Sequence, residues 1–471
     1  MIPGQTAPSR SQLDRLVVSN ILEWGLQPER QGLPEFTPPA RGERFPAEDA
    51  ALAWSGDRKL VLTRYPVDEL LAADLSAILG YQSLAYRALT SAQPGNSLCT
   101  DLAADERTLA EVVELLDGGS ADGPVAVESF GATPEYARLV AAIGKRSKRE
   151  VIDLMTPEDH LDCARSLDSK VQAREYFQAA LPRCPGLRLT RAAVVRSGPG
   201  LLQQVHDALL AFGPAIMKTE FGAGGNSMGV IKGRRRLQQS VGRILPDGYD
   251  GELLVEEFLG SPRDILAVSY NGMVQDDGKT YTLCAGRHFL HAGKFYMGSS
   301  LGVGAMPDDC AAKVRQAGEA IGEATAAGGY RGPLNVDFLY RESDGALFPL
   351  EINPRRGLGG ILADMCISQF GQGYEKAVSA VAVHALPVSN TITTYAQLRD
   401  SLLRKGFFGR ESKGMVILPY SMSTLAAKSE FGLAVFGTDG TSAETALGEI
   451  TGYLAPRPRR IRWPGLSPVA G

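Results

Sequence analysis

Two acidic residues that could share one cation occur in residues 335–356, NVDFLYRESDGALFPLEINPRR. Alternating apolar side chains predict two strands here, joined by a three-residue loop at residues 343–345 whose final glycine suits the left-handed position. In this register Asp337 lies opposite Glu351, whereas a two-residue turn would bring Phe338 opposite Glu351. We prefer the longer loop, although directly opposed like charges about 5 Å apart destabilise a sheet. We therefore expect a positive group between the two carboxylates.

The natural candidate for this positive group is a hard divalent cation. The same register brings Asn335 opposite Asn353, so amide groups flank the two carboxylates. Carboxylate and amide oxygens suit Mg²⁺, which keeps some waters and usually shares its shell with substrate phosphates. We expect one or two Mg²⁺ ions, with Mn²⁺ as the alternative ion, and a nucleotide beside them. The competing interpretation is that both acids point at solvent or at Arg355 and Arg356.

A lysine followed by a glycine-rich loop is a second candidate for ligand binding, in residues 216–231, IMKTEFGAGGNSMGVI. Backbone N–H groups from Gly222 to Gly229 could approach an anion, and Lys218 would add a positive charge. The segment matches neither the Walker A loop nor the G-x-G-x-x-G pattern. It favours phosphate binding, and the alternative is a hairpin turn that binds nothing.

A third candidate is the segment LLVEEFLGSPRD, residues 253–264. It is typical of a strand that runs into an extended connector. The Glu257 carbonyl and the Leu259 N–H could then bind the edge of a flat heterocycle, and Asp264 could bind a sugar hydroxyl. The alternative is an ordinary strand whose two glutamates face solvent.

The composition excludes several classes of protein. The chain has 471 residues, enough for two or three domains, and a formal charge of -4, which leaves no broad basic surface for nucleic acid. No apolar run is long enough for a membrane span, and no signal peptide is evident, so we expect a cytoplasmic protein. The six cysteines and five histidines lack the spacings of redox or zinc motifs.

The elements that position these motifs follow from hydrophobic periodicity. The start of the chain is predicted to be partly irregular up to Pro46, and residues 59–79 and 123–143 each predict a strand, a turn and an amphipathic helix. A charged helix is predicted across residues 168–177, close to a domain boundary. The first part of the chain is therefore expected to be an α/β domain.

The remainder of the chain predicts an α+β arrangement. Short strands follow Pro214, with an Asn-Gly hairpin turn at Asn271–Gly272. Helices are predicted at residues 308–327 and 358–369, on either side of the acidic hairpin. After Val388, the sequence predicts two further strands and a helix at residues 414–420, 431–437 and 442–450.

These motifs, in this order and register, resemble the ATP-grasp superfamily from about residue 168 to residue 360. The most specific part is Glu-Ile-Asn-Pro-Arg at residues 351–355, preceded by Asn-Val-Asp-Phe in the partner strand. The resemblance implies an α+β / α/β chain with the ATP-grasp fold. The metal ligands it implies are Asp337, Glu351 and Asn353. The implied ATP-binding residues are Lys170, Met217, Lys218, Gly224, Gly225, Asn226, Ser227, Met228, Glu256, Glu257, Phe258, Leu259 and Asp264.

The flanking regions look most like carboxylate–amine ligases of peptide natural-product pathways, in particular the pheganomycin-type peptide ligase. The similar features include the segments at residues 125–144 and 298–304 and the region after Val388. D-alanine ligases have an arginine where this chain has Asn335, so another arginine must meet the oxyanion. The candidate catalytic residues are Arg355, Arg287, Arg356, Ser299 and Ser300.

The resemblance implies an ATP-dependent ligase that joins an amino-acid-like carboxylate to the amine of an amino acid or peptide. Residues 298–304, GSSLGVG, are expected to form a loop over the acyl-phosphate intermediate, with a plain turn as the alternative. Three domains are expected, at residues 1–165, 166–388 and 389–471. The other candidate functions are a phosphotransferase and a non-catalytic nucleotide-binding module. A homodimer is expected only because two-fold symmetric dimers are the commonest oligomers of soluble proteins.

Overall fold

The computed structural model describes residues 13–27, 47–89, 97–118, 123–222, 225, 227–235, 237–246, 248–260, 264–291, 295–412, 414–438 and 442–454. Strands in this part of the chain form three sheets, of five, four and nine strands. None of the helices in these ranges is both long enough and apolar enough to cross a membrane.

The first sheet is parallel and belongs to the amino-terminal region. Its strands are β1 (Arg15–Val18), β2 (Lys59–Thr63), β3 (Leu84–Ala88), β4 (Val125–Ser129) and β5 (Val151–Asp153), in the order β3-β2-β1-β4-β5. The helices of this region are α1 (Ile21–Gly25), α2 (Glu69–Leu79), α3 (Leu98–Ala104), α4 (Glu106–Asp117) and α5 (Pro134–Gly144). The α/β prediction for this region is confirmed. The segment up to Pro46 is predicted to be partly irregular; its described residues, 13–27, contain the short elements β1 and α1, and residues 1–12 and 28–46 lie outside the described residues.

The central strand β1 brings two loops together at one end of this sheet. Because β1 and β4 are parallel neighbours, the loops that follow them lie side by side. The side chain of Asn20, after β1, joins them: its Nδ2 donates to the carbonyl of Gly131 at 2.9 Å, and its Oδ1 accepts from the N–H of Phe130 at 3.1 Å. These loops form the edge of the sheet that faces the acidic hairpin.

The chain then passes through two short helices into an antiparallel four-stranded sheet. The helices are α6 (Leu161–Asp168) and α7 (Ala173–Ala180). The next elements are β6 (Ala192–Arg196), α8 (Leu201–Phe212), β7 (Ala215–Thr219), β8 (Met228–Ile231), α9 (Leu237–Ile244) and β9 (Glu252–Glu257). The strand order is β6-β9-β7-β8, and α8 and α9 share a hydrophobic core with one face of the sheet. The opposite face carries Lys218 and Glu256.

The largest sheet is antiparallel and contains the acidic hairpin. Its strands are β10 (Ile265–Val274), β11 (Thr280–His291), β12 (Phe295–Gly302), β13 (Gly332–Arg341), β14 (Ala346–Asn353), β15 (Ser379–Pro387), β16 (Gly409–Ser412), β17 (Met415–Ser421) and β18 (Glu430–Gly437). The helices of this region are α10 (Asp308–Ala327), α11 (Leu358–Phe370), α12 (Tyr395–Arg404), α13 (Leu425–Lys428) and α14 (Ala443–Leu454). The helices and strands predicted in this half are present. The strand order is β14-β13-β10-β11-β12-β15-β18-β17-β16.

The Asn-Gly hairpin turn predicted at Asn271–Gly272 is wrong. Both residues lie inside β10, at an irregularity in its pairing with β11, and the Asn271 side chain is buried. The turn comes later, at Asp277–Gly278, where Gly278 has a φ of 78°. Gly357 and Gly359 pack against the Asn271 side chain, so tertiary packing overrides the local turn preference.

Residues after Val388 extend the largest sheet, because β16, β17 and β18 continue it beyond β15. Asp49, near the start of the chain, also bonds to this region: its carboxylate accepts from the Ser421 hydroxyl at 2.7 Å and the Met422 N–H at 2.6 Å. The three domain ranges stay a prediction.

A buried ion cluster joins the amino-terminal sheet to α11. Arg356, 4% exposed, pairs with Glu128 of β4 and with Asp364 of α11, and the Asp364 contact is 2.6 Å. Burial alone would raise the pKa of Glu128, but the guanidinium groups of Arg356 and Arg15 outweigh burial and lower it. Arg356, a candidate catalytic residue, is thus held in a structural ion pair.

We predict that Arg356→Met lowers the free energy of unfolding by about 3–5 kcal/mol, because it removes one of the two guanidinium groups beside the buried Glu128 and also the arginine partner of Asp364. The matched control is Arg146→Met, which removes a more exposed pair with Glu106 whose side chains are 38% and 76% exposed. Its cost should be about 0–1 kcal/mol. Urea unfolding of both variants measures the difference, and equal losses would contradict the prediction.

Candidate active site

The acidic hairpin pairs its two carboxylates as predicted, although its turn differs from the prediction. Arg341 pairs with Ala346, so the loop has four residues instead of three. A β-bulge then inserts Leu350 into β14, which restores the predicted pairing of Asp337 with Glu351. The two departures cancel, and both carboxylates lie on the same face of the sheet.

The two carboxylates are largely buried and electrostatically unequal. The side chains of Asp337 and Glu351 are 17% and 26% exposed. Burial and the Glu351 charge raise the pKa of Asp337 well above its ordinary value. Burial also acts to raise the pKa of Glu351, but the charges of Lys170 and Lys218 outweigh it and lower that pKa. Without a cation, the pair therefore favours a neutral Asp337 beside an ionised Glu351.

Two asparagines orient the acid pair. The Nδ2 group of Asn353 donates to Asn335 Oδ1 at 2.8 Å and to Asp337 Oδ2 at 3.2 Å. Asn335 in turn donates to the carbonyl of Tyr270 at 3.1 Å, which fixes its amide. Asn353 Oδ1 accepts from Arg355 Nη2 at 2.9 Å. Asn335 thus positions Asn353, a predicted metal ligand.

The donor set fits Mg²⁺. Asp337 Oδ1 is buried and has no hydrogen-bond partner among the residues that the structure describes. The same residues contain no cluster of three histidine, cysteine or acidic side chains arranged for metal binding. The site therefore offers two carboxylates, and the Asn353 amide would join them through Oδ1, which accepts from Arg355 in this structure. Water and phosphate oxygens would occupy the remaining positions, as Mg²⁺ prefers. Glu351 and Asp337 would hold the ion together with Asn353.

Lys170 reaches the acid pair from the turn between α6 and α7. The helix predicted across residues 168–177 is wrong at this turn, because α6 ends at Asp168 and α7 begins at Ala173. The Lys170 ammonium donates to the Gly222 carbonyl at 2.8 Å and lies 3.2 Å from Glu351 Oε2. The Lys170 ammonium thus contacts both the start of the glycine loop and the acidic hairpin.

Lys218 lies in a second buried cluster on β7. Its ammonium is 2.6 Å from Glu256 Oε2, and the Glu256 carboxylate also contacts Arg174 at 2.9 Å and Thr190 at 2.6 Å. Glu256 is 2% exposed, so the alternative of two solvent-facing glutamates fails at this residue. Met217, the neighbour of Lys218, points its side chain into the core beneath the sheet.

Part of the glycine loop is described. Gly225 has a φ of 82°, a conformation that favours glycine. Ser227 is buried and its carbonyl accepts from β7, and Met228 begins β8. The predicted ligands Gly224 and Asn226 lie outside the described residues.

The connector after β9 exposes an apolar side chain. Glu257 pairs with Arg191 at 2.8 Å, which turns its carboxylate away from the acid pair. Phe258 is 38% exposed, and Leu259 is half-buried. Their part in binding a heterocycle stays a prediction.

Asp264 has local partners in the structure. Its carboxylate accepts from the Ser343 N–H at 2.9 Å and from the Ser343 hydroxyl at 2.7 Å. It therefore stabilises the turn of the acidic hairpin. A role in binding ribose stays a prediction and would require Asp264 to exchange these bonds.

Arg287 and Ser300 lie on the face of the largest sheet opposite the acid pair. Strand pairing through β10 aligns Asp337 with Gly286, and the next residue, Arg287, points to the other face. There Arg287 pairs with Glu444 of α14, and the Ser300 hydroxyl donates to the same carboxylate at 3.1 Å. The structure therefore brings neither residue to the acidic hairpin.

The loop predicted at residues 298–304 is wrong over most of its length. Residues 298–302 belong to β12, which is paired on both sides, with β11 and β15. Ser299 is fully buried, and its Oγ lies 2.7 Å from the Tyr296 hydroxyl. Glycine serves close packing here: a Cβ on Gly298 would lie 2.2 Å from the Ala382 carbonyl.

The acid-pair face contains two histidines and a tyrosine that the sequence motifs did not indicate. His288 Nε2 lies 3.8 Å from Asp337 Oδ1, and the Tyr296 ring contacts both His288, at 4.8 Å between centroids, and His384, at 5.6 Å. Burial lowers the pKa of His288 to about 4, so the imidazole is neutral near pH 7. The alternation of β11 is the sequence signal that could have placed His288 on this face.

Comparison with known proteins identifies the fold. The family model described as "Carbamoyl-phosphate synthase L chain, ATP binding domain" matches residues 192–367. No curated protein sequence matches the chain.

Three solved structures are similar over most of the chain. Biotin carboxylase from Campylobacter jejuni, in a complex with beta-gamma-ATP, has a TM-score of 0.55 at 12% identity, over 94% of this chain and 92% of that one. The ADP complex of PurK, an N5-carboxyaminoimidazole ribonucleotide synthetase, has a TM-score of 0.53 at 13% identity, over 94% and 96%. N5-carboxyaminoimidazole synthase from Aspergillus clavatus has a TM-score of 0.52 at 11% identity, over 93% and 99%. The chain has the ATP-grasp fold, as predicted.

We predict that Asp337→Asn raises the free energy of unfolding of the metal-free protein near pH 7. The raised pKa of Asp337 means that its ionised form is disfavoured in the folded state. The wild-type protein therefore loses stability as pH rises above the pKa that Asp337 has in the unfolded chain. The stability that Asp337→Asn gains over the wild-type protein should therefore shrink as pH falls toward about 4.

The matched control is Glu342→Gln, which removes an exposed charge from the same hairpin and should change stability by about 0.5 kcal/mol or less. Chemical unfolding at both pH values measures the two variants. A loss of stability in Asp337→Asn near pH 7 would contradict the electrostatic description of the pair.

Proposed function

We propose that the chain is an ATP-dependent ligase that joins an amino-acid-like carboxylate to the amine of an amino acid or peptide. The products are an amide, ADP and phosphate, formed through an acyl phosphate. One observation carries the proposal: the buried pair of Asp337 and Glu351 faces lysine ammonium groups and has a carboxylate oxygen without a partner among the described residues. A sheet is destabilised by such a pair unless a ligand supplies positive charge.

ATP is the nucleotide that the surroundings of the pair favour. Lys170 and Lys218 lie near Glu351 and can bind phosphate oxygens, while the connector at Glu257 and Leu259 binds the adenine edge. The matching family model is described as an ATP-binding domain, and two of the similar structures are complexes with ADP and with beta-gamma-ATP. These findings support a nucleotide in the cleft between the four-stranded sheet and the acidic hairpin.

Asp337, Glu351 and Asn353 are the residues that would hold Mg²⁺. When bound, the ion neutralises charge on the transferring phosphoryl group. The chain contributes the ligand positions: the β-bulge sets Glu351 opposite Asp337, and Asn335 orients the Asn353 amide. Lys170 exchanges its contact with Glu351 for phosphate oxygens when the nucleotide binds.

The proposed ligase reaction has two steps, phosphoryl transfer and acyl transfer, and both occur beside the acid pair. A substrate carboxylate oxygen attacks the γ-phosphorus, and the bond to the ADP oxygen breaks. The amine next attacks the acyl carbon, phosphate leaves with the bonding electrons, and the amine loses a proton. Arg355, whose guanidinium lies beside Asn353, meets the oxyanion that develops in the second step.

The class of substrate is proposed from the sequence resemblance to peptide natural-product ligases. A role in antibiotic biosynthesis belongs to the same proposal. A phosphotransferase would share the ATP half of the site and would keep the phosphoryl group on its product. Release of phosphate therefore separates the two activities.

The protein, incubated with ATP, Mg²⁺ and a pool of amino acids and short peptides, should form an amide product detectable by mass spectrometry, together with ADP and free phosphate. Glu351→Ala should lower turnover at least about 10²-fold, because it removes a ligand of the ion while the fold remains. Glu342→Ala, an exposed acid of the same hairpin, is the matched control and should keep wild-type turnover. A phosphorylated product without phosphate release would replace the ligase by a phosphotransferase. Wild-type turnover in Glu351→Ala would remove the metal assignment.

The two candidate oxyanion arginines can be separated because they lie on opposite faces of the sheet. Arg355→Met should lower kcat about 10²–10³-fold, since it removes a charged donor from the acyl-transfer position. Arg287→Met should leave kcat within about threefold of wild type once the folded fraction is corrected, because Arg287 bonds to Glu444 on the far face. Steady-state kinetics with circular dichroism measures both variants. A larger loss in Arg287→Met would reverse the assignment.

A further inference from the structure

We propose that two aromatic side chains of the amino-terminal sheet, Trp24 and Phe130, position the Arg355 guanidinium for acyl transfer. We call this pair the aromatic clamp. The inference builds on the proposed function, because it assigns a task to residues around the proposed oxyanion arginine. It makes the amino-terminal sheet part of the reacting site, because both rings contact Arg355.

The clamp contacts Arg355 with both rings. The Arg355 Cζ lies 5.1 Å from the centroid of the Trp24 ring and 5.5 Å from that of the Phe130 ring. Both distances are within the range of cation–π attraction. The two rings also contact each other edge to face, with centroids 5.6 Å apart and planes at 79°. They thus form a corner that receives one guanidinium.

A hydrogen bond on the other side sets the direction of the guanidinium. Arg355 Nη2 donates to Asn353 Oδ1 at 2.9 Å, and Asn353 Nδ2 donates to Asp337 at 3.2 Å. The clamp and this bond together hold a long, flexible side chain beside the acid pair. An oxyanion that develops there meets a donor that needs little reorganisation.

The clamp is built by two neighbouring loops. Trp24 lies on α1, directly after β1, and Phe130 follows β4. Gly131 pairs by its backbone with Arg355, and a Cβ at Gly131 would lie 2.4 Å from the Trp24 ring. Asn20 bonds both loops, as described above. The ring positions are therefore fixed by backbone pairing as well as by packing.

The clamp acts through Arg355, so its loss should affect the acyl-transfer step and spare nucleotide binding. Phe130→Leu keeps an apolar side chain at a half-buried position and removes the π face. We expect kcat to fall about tenfold while KM for ATP stays unchanged. Phe130→Tyr keeps the ring and should retain near wild-type kcat.

The matched control is Phe408→Leu. Phe408 is a half-buried ring that contacts another arginine, Arg399, with the guanidinium carbon 5.1 Å from its centroid. Arg399 pairs with Asp74 and takes no part in the site. This variant loses the same type of contact and should keep wild-type kcat and KM.

A second readout needs no ligase activity. Phenylglyoxal modifies accessible arginines, and peptide mass spectrometry gives the rate at each one. Phe130→Leu should raise the rate at Arg355 several-fold and leave Arg399 unchanged, whereas Phe408→Leu should do the reverse. If Phe130→Leu does not fold, Phe130→Met is measured in the same way.

The outcomes separate the clamp from the proposed function. Unchanged kcat and unchanged Arg355 reactivity in Phe130→Leu overturn the clamp, even if the wild-type protein is a ligase. An equal rise in KM for ATP and fall in kcat also overturns it, because that pattern indicates a general loss of structure. Raised Arg355 reactivity in a protein that makes no amide supports the clamp as the element that positions Arg355, and overturns the proposed function together with the clamp's task in acyl transfer.

Discussion

The opposed carboxylates of Asp337 and Glu351 are the constraint on which the site depends. A sheet brings two acids together only when its register is enforced, and here a β-bulge at Leu350 enforces it. Desolvation and mutual repulsion then favour a proton on Asp337, which keeps the metal-free pair from carrying two full charges. The metal-free pair still destabilises the folded protein, and a bound cation would relieve that cost, as the proposed metal site requires.

The positive charges around this pair are themselves held in place by structure. Lys170 lies in a non-helical turn between two helices, and Lys218 is neutralised by Glu256, which also contacts Arg174. Each lysine therefore has a protein partner before a nucleotide arrives. If a nucleotide binds as proposed, phosphate oxygens would replace those partners, and Arg174 would remain beside Glu256. This explains how one cleft can contain both cationic and anionic groups.

The amino-terminal sheet contributes to the site through the loops at its carboxyl edge. Arg356 joins β4 to α11 in a buried ion cluster, and the adjacent Arg355 pairs by its backbone with Gly131. Two consecutive arginines thus have different tasks: one connects the sheet to the rest of the chain, and the other contacts the acid pair's amide neighbour. Proteins that are only 11–13% identical to this chain share its ATP-grasp fold. The fold alone therefore does not specify the residues of these loops, and any function must be argued from the residues themselves.

The sequence by itself determined the elements with strong periodicity and the order of the motifs. The helix at residues 308–327 and the pairing of Asp337 with Glu351 followed from hydrophobic periodicity and strand alternation, whereas Lys170 was implied only by the family resemblance. Loop length did not, because a turn one residue longer and a compensating bulge have almost the same sequence signature. The Asn-Gly pair at Asn271 was misleading because a turn preference of this size is outweighed by burial under α11.

Only the tertiary structure decided which side chains share a face. Arg287 and Ser300 have the right chemistry but point away from the acids, since each strand alternates and their position in the sheet depends on distant pairing. Trp24, Phe130 and His288 reach the site from three separate segments, so no local pattern could group them. Local sequence specifies periodicity within a few residues, whereas the composition of a site depends on contacts between segments more than 100 residues apart.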